Sequence, residues 1–276
     1  MINLEQYFAR IGHTGSRAPT LALLRDIAVA QPRAIAFENL AVTSGGVPQL
    51  DLPTIEAKLV HGGRGGYCYE QNTLLQAVLT ALGFRVTALL ARVRFGVPAD
   101  VVTGRSHMIL RVDLPEGPHL IDAGFGNMTA TAPLALTPGP AQPTPHEDFR
   151  LLSAGGEFML QARLGDDWSD VYRFDLSPQL PPDIAAQNWH TATRPNALFA
   201  KNVIVTRTVP AGRSVLFNAT LTWRAVGQPP ERRAVVGEAA LADTLREVFG
   251  LTVSPADVQA AARVAAAAQP LNPSFT

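Results

Sequence analysis

A chain of 276 residues with 47% hydrophobic and 17% charged content can bury a large core, as one big domain or two to three small ones. Its 23 basic residues balance its 23 acidic ones, which leaves no basic surplus for nucleic acid and no acidic tail. No apolar run is long enough to span a bilayer, no charged leader precedes an apolar stretch, and a single cysteine cannot form an internal disulfide; a reducing cytoplasm is the expected compartment.

The first 85 residues read as helical. In "TLALLRDIAVAQP" Thr20 is placed to cap, Leu21, Leu24, Ile27 and Ala28 share one face, and Pro32 is expected to stop the helix. "DLPTIEAKLVHGG" offers Asp51 as a start signal, Pro53 in the first turn and Gly62 beyond the end. A third helix is predicted from near Cys68, with Leu74, Leu75, Val78 and Leu82 at helical spacing and Gly83 as its stop.

From Phe84 the period changes. "FRVTALLARVRF" has strand composition, and "HMILRVDL" and "HLIDAGFG" flank the turn-rich "PEGP" as a hairpin. A Pro/Thr-rich stretch, "TAPLALTPGPAQPTPHED", is read as an irregular arm. Three strands are expected in "DFRLLSAGGEFMLQARL" and "WSDVYRFDL", with Gly155 and Gly156 in a turn. "NVIVTRTVPAGRSVLFNATLTWRAV" reads as two or three strands. "EAALADTLREVFG" and "SPADVQAAARVAAAAQ" read as helices, the second opened by Ser254, Pro255 and Asp257. Helices, then strands, then a mixed tail make an α+β protein with up to three parts.

The chemistry centres on "GGRGGYCYEQN". Four glycines surround Arg64, and the one cysteine stands where the loop becomes a helix. A thiol reacts as thiolate; the free N–H groups at a helix N-terminus, or a neighbouring imidazolium, favour that anion. The glycines would let the backbone bend and a substrate come close. A lone cysteine is also commonly a small buried hydrophobe. Of the six histidines, His61 ends the preceding helix, and His13, His119, His146 and His190 stand in polar or turn-rich contexts that suggest the surface. His107 instead opens an apolar strand. Asp122 ends the next strand, where a buried carboxylate needs a partner. A four-residue loop spanning Asp113 to Glu116 would set His107 directly opposite Asp122; a shift by two keeps both on one face but further apart, and an odd-length loop separates the faces. A carboxylate there would fix the ring's tautomer and stabilise the imidazolium. One Cys and scattered His offer no metal-ligand spacing.

"FENL" (37–40), "RGGYCYEQN" (64–72), "SHMIL" (106–110), "DAGFG" (122–126) and "NWHTATRPNALF" (188–199) resemble the arylamine N-acetyltransferases across roughly the whole chain. The resemblance implies an N-terminal helical bundle over 1–84 that carries the nucleophile, a β-barrel over 85–187 that carries the His and Asp, and an α/β lid over 188–276, around a cysteine-protease-like core. It implies acetyl-CoA as donor, no metal, and ping-pong transfer through a thioester on Cys68 to an arylamine, arylhydrazine or N-hydroxyarylamine. His107 would be the base and Asp122 its orienter. Phe37, Phe125 and Phe199 would bind the acceptor. Arg194-Pro195 stands where the family has histidine-proline.

Thr103, Gly104 and Gly126 are candidate coenzyme contacts, the last through backbone N–H groups of "GFGNM". Arg64 and Glu38 read as a partly buried ion pair that holds the glycine loop against the bundle. The expected partners are small molecules, with no nucleic acid or membrane, and a homodimer is left open. Two other readings stay open: a transglutaminase-like or papain-like hydrolase with the same Cys–His–Asp/Asn order, and a non-catalytic small-molecule binder.

Overall fold

The computed structural model describes residues 1–268. Helix α1 (Leu4–Ile11) starts where Asn3 accepts from the Gln6 N–H, and Thr20 caps α2 (Leu21–Ala34) by accepting from the Leu23 N–H. α2 runs past Pro32 instead of stopping there. Pro32 lies in the last turn, where its missing N–H removes a single bond, and the Ile35 N–H still reaches the Gln31 carbonyl at 2.8 Å. The helical reading also misses β1 (Phe37–Glu38), two residues recruited by a distant strand. After α3 (Leu40–Thr43), Asp51 caps α4 (Leu52–Ile55), which continues as a π-helical stretch over Glu56–His61. α5 (Cys68–Ala81) begins at the cysteine.

The central sheet contains β2 (Arg85–Val93), β3 (His107–Leu114), β4 (Gly117–Ile121), β5 (Leu134–Ala135), β6 (Phe149–Ala154), β7 (Glu157–Leu164) and β8 (Asp167–Phe174). Its order is β5-β4-β3-β2-β8-β7-β6, with antiparallel pairing throughout. Gln142, in the Pro/Thr-rich arm, links the two edges. Its side chain bonds both backbone groups of Ala135 on β5, and its own backbone pairs with Phe149 on β6. The sheet therefore curls into a nearly closed barrel.

The last part holds α6 (Pro181–Thr193), α7 (Leu198–Lys201), β9 (Ile204–Val209), β10 (Gly212–Phe217), β11 (Thr220–Ala225), β12 (Glu231–Ala234), α8 (Glu238–Asp243) with a π-helical continuation over Thr244–Val248, and α9 (Pro255–Ala267). Its sheet has the order β1-β9-β10-β11-β12. Ser254 and Asp257 form the capping box of α9. Gln269, the last residue of that expected helix, lies outside the described residues.

Three cores follow from which face each element buries. Helix α5 packs on the outer face of β2 and β3, through Ala88, Leu90, Met108, Leu110 and Val112, and α1 and α2 complete the same core from its far side. The alternate residues Leu89, Ala91 and Ile109 point into the barrel. Both faces of these strands are thus buried, which is why they read as continuous apolar runs. The third core lies between the last sheet and α8 and α9. Helices, barrel and α/β tail are the α+β architecture expected.

Candidate active site

The glycine loop serves the protein's own packing. A Cβ on Gly65 would sit 2.0 Å from the Ala36 carbonyl oxygen, so only glycine lets this loop lie against β1. The Gly66 N–H donates to Ala36 and the Glu38 N–H to Gly66, which makes a short parallel bridge. None of the loop's glycines lines the cavity described below, so the expectation that they admit a substrate is corrected.

Under the loop lies a chain of charges. Arg64 bonds Glu38 at 2.8 Å and Asp257 of α9 at 3.2 Å; Lys58 lies 3.7 Å from Glu38 and 2.7 Å from Glu70. Burial pushes the Glu70 carboxyl up against the pull of Lys58. Glu70 accepts from the Tyr67 N–H at 3.1 Å and so caps the helix at the point where Cys68 enters it.

Cys68 is buried, 3% exposed, at the first position of α5. The loop after β4 passes over it so closely that a Cβ on Gly124 would come within 2.7 Å of the Cys68 Cα. The hairpin turns on Pro115 and Glu116, with Leu114 opposite Gly117 and Leu110 opposite Ile121. This register is shifted by two from the direct pairing of His107 with Asp122. Both side chains stay on one face, and the diagonal distance is bridged: His107 Nε2 lies 2.6 Å from Asp122 Oδ2. His107 is fully buried, not half-buried as its strand position suggests. Burial would lower the pKa of the ring; the charge and hydrogen bond of Asp122, and the hydrogen bond with Cys68, outweigh it and carry the ring up to about 10. With Nε2 engaged by Asp122, Nδ1 is the ring nitrogen left for the thiol, whose sulfur also lies 4.0 Å from the Ser106 carbonyl.

The other carboxylate oxygen is also held. Asp122 Oδ1 accepts from Asn72 Nδ2 at 2.9 Å and from the Gly124 N–H at 2.8 Å. Asn72 is fixed in turn by the Met108 carbonyl at 2.7 Å and the Ala123 N–H at 3.0 Å. Burial, and the charge of Asp122 beside it, push the Tyr172 hydroxyl far up, so it stays a proton donor to that carboxylate.

Cys68 and His107 open onto a cavity of about 690 Å³ walled by phenylalanine, valine and leucine. A buried thiol, a protonated ring and a carboxylate at one end of an aromatic-walled cavity suit acyl transfer through a thioester.

Residues 20–258 match the model of the N-acetyltransferase family. The arylamine N-acetyltransferase of Escherichia coli K12 is 38% identical, over 92% of this chain and 90% of that protein. The arylamine N-acetyltransferase / N-hydroxyarylamine O-acetyltransferase of Salmonella typhimurium is 36% identical over 91% and 89%. The arylamine N-acetyltransferase of Mycobacterium marinum, solved in complex with CoA, superposes with a TM-score of 0.92 at 35% identity, over 97% of this chain and all of that one. The chain belongs to the arylamine N-acetyltransferase family.

Within this arylamine N-acetyltransferase fold, the residues singled out in the sequence gather in two places. Phe37, Phe125 and Phe199 line the cavity, as do Thr103, Gly104 and Gly126. The ring centroids of His107 and Phe125 are 5.0 Å apart, and those of Phe37 and Phe199 are 5.9 Å apart. Asp122 stands behind His107, and Arg64 and Glu38 lie beneath the glycine loop, away from the cavity. Among the N–H groups of "GFGNM", that of Gly126 is already bonded to Thr129 at 2.9 Å. Its neighbour Gly124 likewise donates to Asp122, so the phosphate cradle read into this loop loses two donors.

Three histidines expected on the surface are elsewhere. His13 is half-buried, its side chain 8% exposed. His119 is buried, with Nδ1 2.9 Å from the Gly117 carbonyl. His146 is half-buried and joins Thr131 to the Val209 carbonyl of β9. His190 is exposed but lines the cavity. Asn72 and Tyr172 were missed altogether. Asn72 could have been found, because it lies four residues after Cys68 on the same face of one helix. Tyr172 reaches the site only through the distant pairing of β2 with β8. Among the described residues no cluster could hold a metal ion, and no helix is long and apolar enough to cross a membrane.

Proposed function

We propose that this protein transfers the acetyl group of acetyl-CoA to the nitrogen of arylamines, arylhydrazines or N-hydroxyarylamines, by a ping-pong reaction through an acetyl thioester on Cys68. The observation that carries this reading is the 2.6 Å contact of His107 with Asp122 beside a cysteine at the floor of an aromatic cavity.

A ring that keeps its proton up to about pH 10 offers the Cys68 sulfur a counter-charge, and the thiolate is the attacking form. The thiolate adds to the thioester carbonyl. The Cys68 N–H, free at the start of α5, is placed to donate to the resulting oxyanion. Collapse expels CoA as thiolate, and His107 gives it the proton. One thioester has replaced another, so this half-reaction is nearly balanced in energy and reversible.

The acceptor nitrogen then attacks the acetyl carbon, His107 takes its proton, and Cys68 leaves as thiolate beside the recharged ring. Asp122 holds the ring in the tautomer that both steps need; Asn72, Gly124 and Tyr172 keep Asp122 facing it. Phe37, Phe125 and Phe199 offer flat apolar walls to an aromatic acceptor and limit the water that would hydrolyse the thioester. Thr103 and Gly104 are the candidate coenzyme contacts at the mouth. The division into bundle (1–84), barrel (85–187) and lid (188–276) is part of this proposal; its second boundary falls inside α6, and residues 269–276 lie outside those described. The proposed partners are small molecules alone; the mechanism needs no nucleic acid, membrane or second copy. A reducing cytoplasm would keep the thiol free.

Intact-mass measurement after mixing with acetyl-CoA alone tests the reading. The expected result is one acetyl group per chain, located on Cys68, absent from Cys68→Ala and discharged by an aryl hydrazine. Steady CoA release without any amine would instead assign a hydrolase, and no acetylation at all would assign a binder.

A further inference from the structure

The cavity has a floor and a mouth of different character. Cys68 and His107 are buried at the floor, whereas His190 and Arg194 are exposed to solvent and mark the mouth. Arg105 lines it as well, bonded outward to Asp175. Among the described residues no aspartate or glutamate lines the cavity. In a molecule with equal numbers of acidic and basic residues, this opening is thus lined by arginine and by no carboxylate.

Helix α6 displays this charge from a fixed position. Its Asn188 accepts from the Tyr67 hydroxyl and donates to the Pro48 carbonyl, and its Thr191 lies 3.2 Å from the Tyr69 hydroxyl, so both neighbours of Cys68 hold it. Gln187, His190, Thr191 and Arg194 fall at helical spacing along one stripe that faces the cavity. Arg194 closes the stripe about one turn, roughly 5 Å, beyond the Thr191 tie. Its guanidinium has no side-chain partner among the described residues.

In the ping-pong order, CoA has left the mouth before the acceptor enters. Arg194 is then free to meet whatever the acceptor carries on the edge away from its amine. With the amine at Cys68 and the ring between phenylalanines, a substituent on the far edge points outward to α6. We propose that Arg194 makes this enzyme selective for arylamines that carry an acidic substituent, such as a carboxylate, over neutral or cationic ones. A guanidinium fork matches a carboxylate in shape, and the partly dry mouth strengthens the pair. This inference rests on the acetyltransfer reading.

The test compares kcat/KM for 4-aminobenzoate and 4-aminobenzamide in wild type, Arg194→Gln, Arg194→Lys and Arg194→Glu. Comparing each ratio with wild type cancels the intrinsic difference between the two amines. The expected result is a fall in the aminobenzoate preference of about fivefold in Arg194→Gln, partial recovery in Arg194→Lys and a further fall in Arg194→Glu. An unchanged ratio in Arg194→Gln and Arg194→Glu would overturn the proposal. So would an effect confined to the KM for acetyl-CoA, which would assign the charge to the donor's phosphates. Wild type is first acetylated on Cys68 with the neutral donor 4-nitrophenyl acetate. If that thioester fails to form, the acetyltransfer reading fails and takes this inference with it; if it forms and the ratios stay fixed, this inference alone fails.

Discussion

Two buried charge clusters flank the start of α5, and they differ in one component. Beneath the glycine loop, Glu38 and Glu70 are paired with Arg64 and Lys58, cations that keep their protons at any physiological pH. On the other side of the helix, Asp122 is paired with His107, a cation that can release its proton. Both clusters satisfy their carboxylates fully, and both are anchored to α5, one through Glu70 and one through Asn72. The first lies away from the cavity, with its cations partly open to solvent; the second faces a thiol and a cavity. The same pairing physics therefore holds a helix end in one case and a transferable proton in the other.

The largest effect is expected at Asp122. Asp122→Asn removes the charge that keeps His107 protonated while the hydrogen-bonding shape survives, so thioester formation should slow by about 10³-fold or more, with the melting temperature far less affected. Single-turnover release of CoA and a thermal melt check this together. Arg64→Ala should do the reverse. It leaves Glu38 buried with a more distant cation, at a cost of about 3 kcal/mol in stability, while the remaining folded enzyme turns over at close to the wild-type rate. A calorimetric melt alongside active-site titration separates the two, and a soluble variant with unchanged melting temperature would contradict it.

A smaller effect is expected at Asn72. Asn72→Ala takes one donor from Asp122 and should slow acylation about tenfold, through a ring that titrates lower than in wild type. The pH dependence of acylation in the variant, compared with wild type, reads this out. A separate effect is on stability against pH. The folded pKa of His107, about 10, lies above the unfolded value of roughly 6.5, so the pair's contribution is fully present below about pH 6.5 and is lost as pH rises through 10. Denaturant melts between pH 6 and 10 should lose stability in wild type and lose less of it in Asp122→Asn. The Arg64 cluster should add nothing to that slope.

The difference between the clusters also marks what could be read from the sequence. Helix starts were legible at Thr20, Asp51 and Ser254, because capping is a local matter of one side chain and one N–H. The catalytic three were legible because each sits at the end of an element: Cys68 opens a helix, His107 opens a strand, and Asp122 follows one. Their diagonal register was not, since the choice between a two-residue and a four-residue turn at "PEGP" depends on what the hairpin packs against. Features that depend on distant pairing stayed hidden. Phe37 and Glu38 become a strand only because β9 lies beside them, Tyr172 joins the site through β8, and His146 is drawn inward by β9. The glycine loop was noticed for the right residues and the wrong reason, because its close neighbour is Ala36 and not a ligand.

The most direct test of the central claim is a ¹⁵N NMR titration of the His107 ring. The account requires both ring nitrogens to stay protonated through neutral pH, with release near 10, and requires that release to move markedly lower in Asp122→Asn. A neutral His107 ring at pH 7 in the wild-type protein would contradict it.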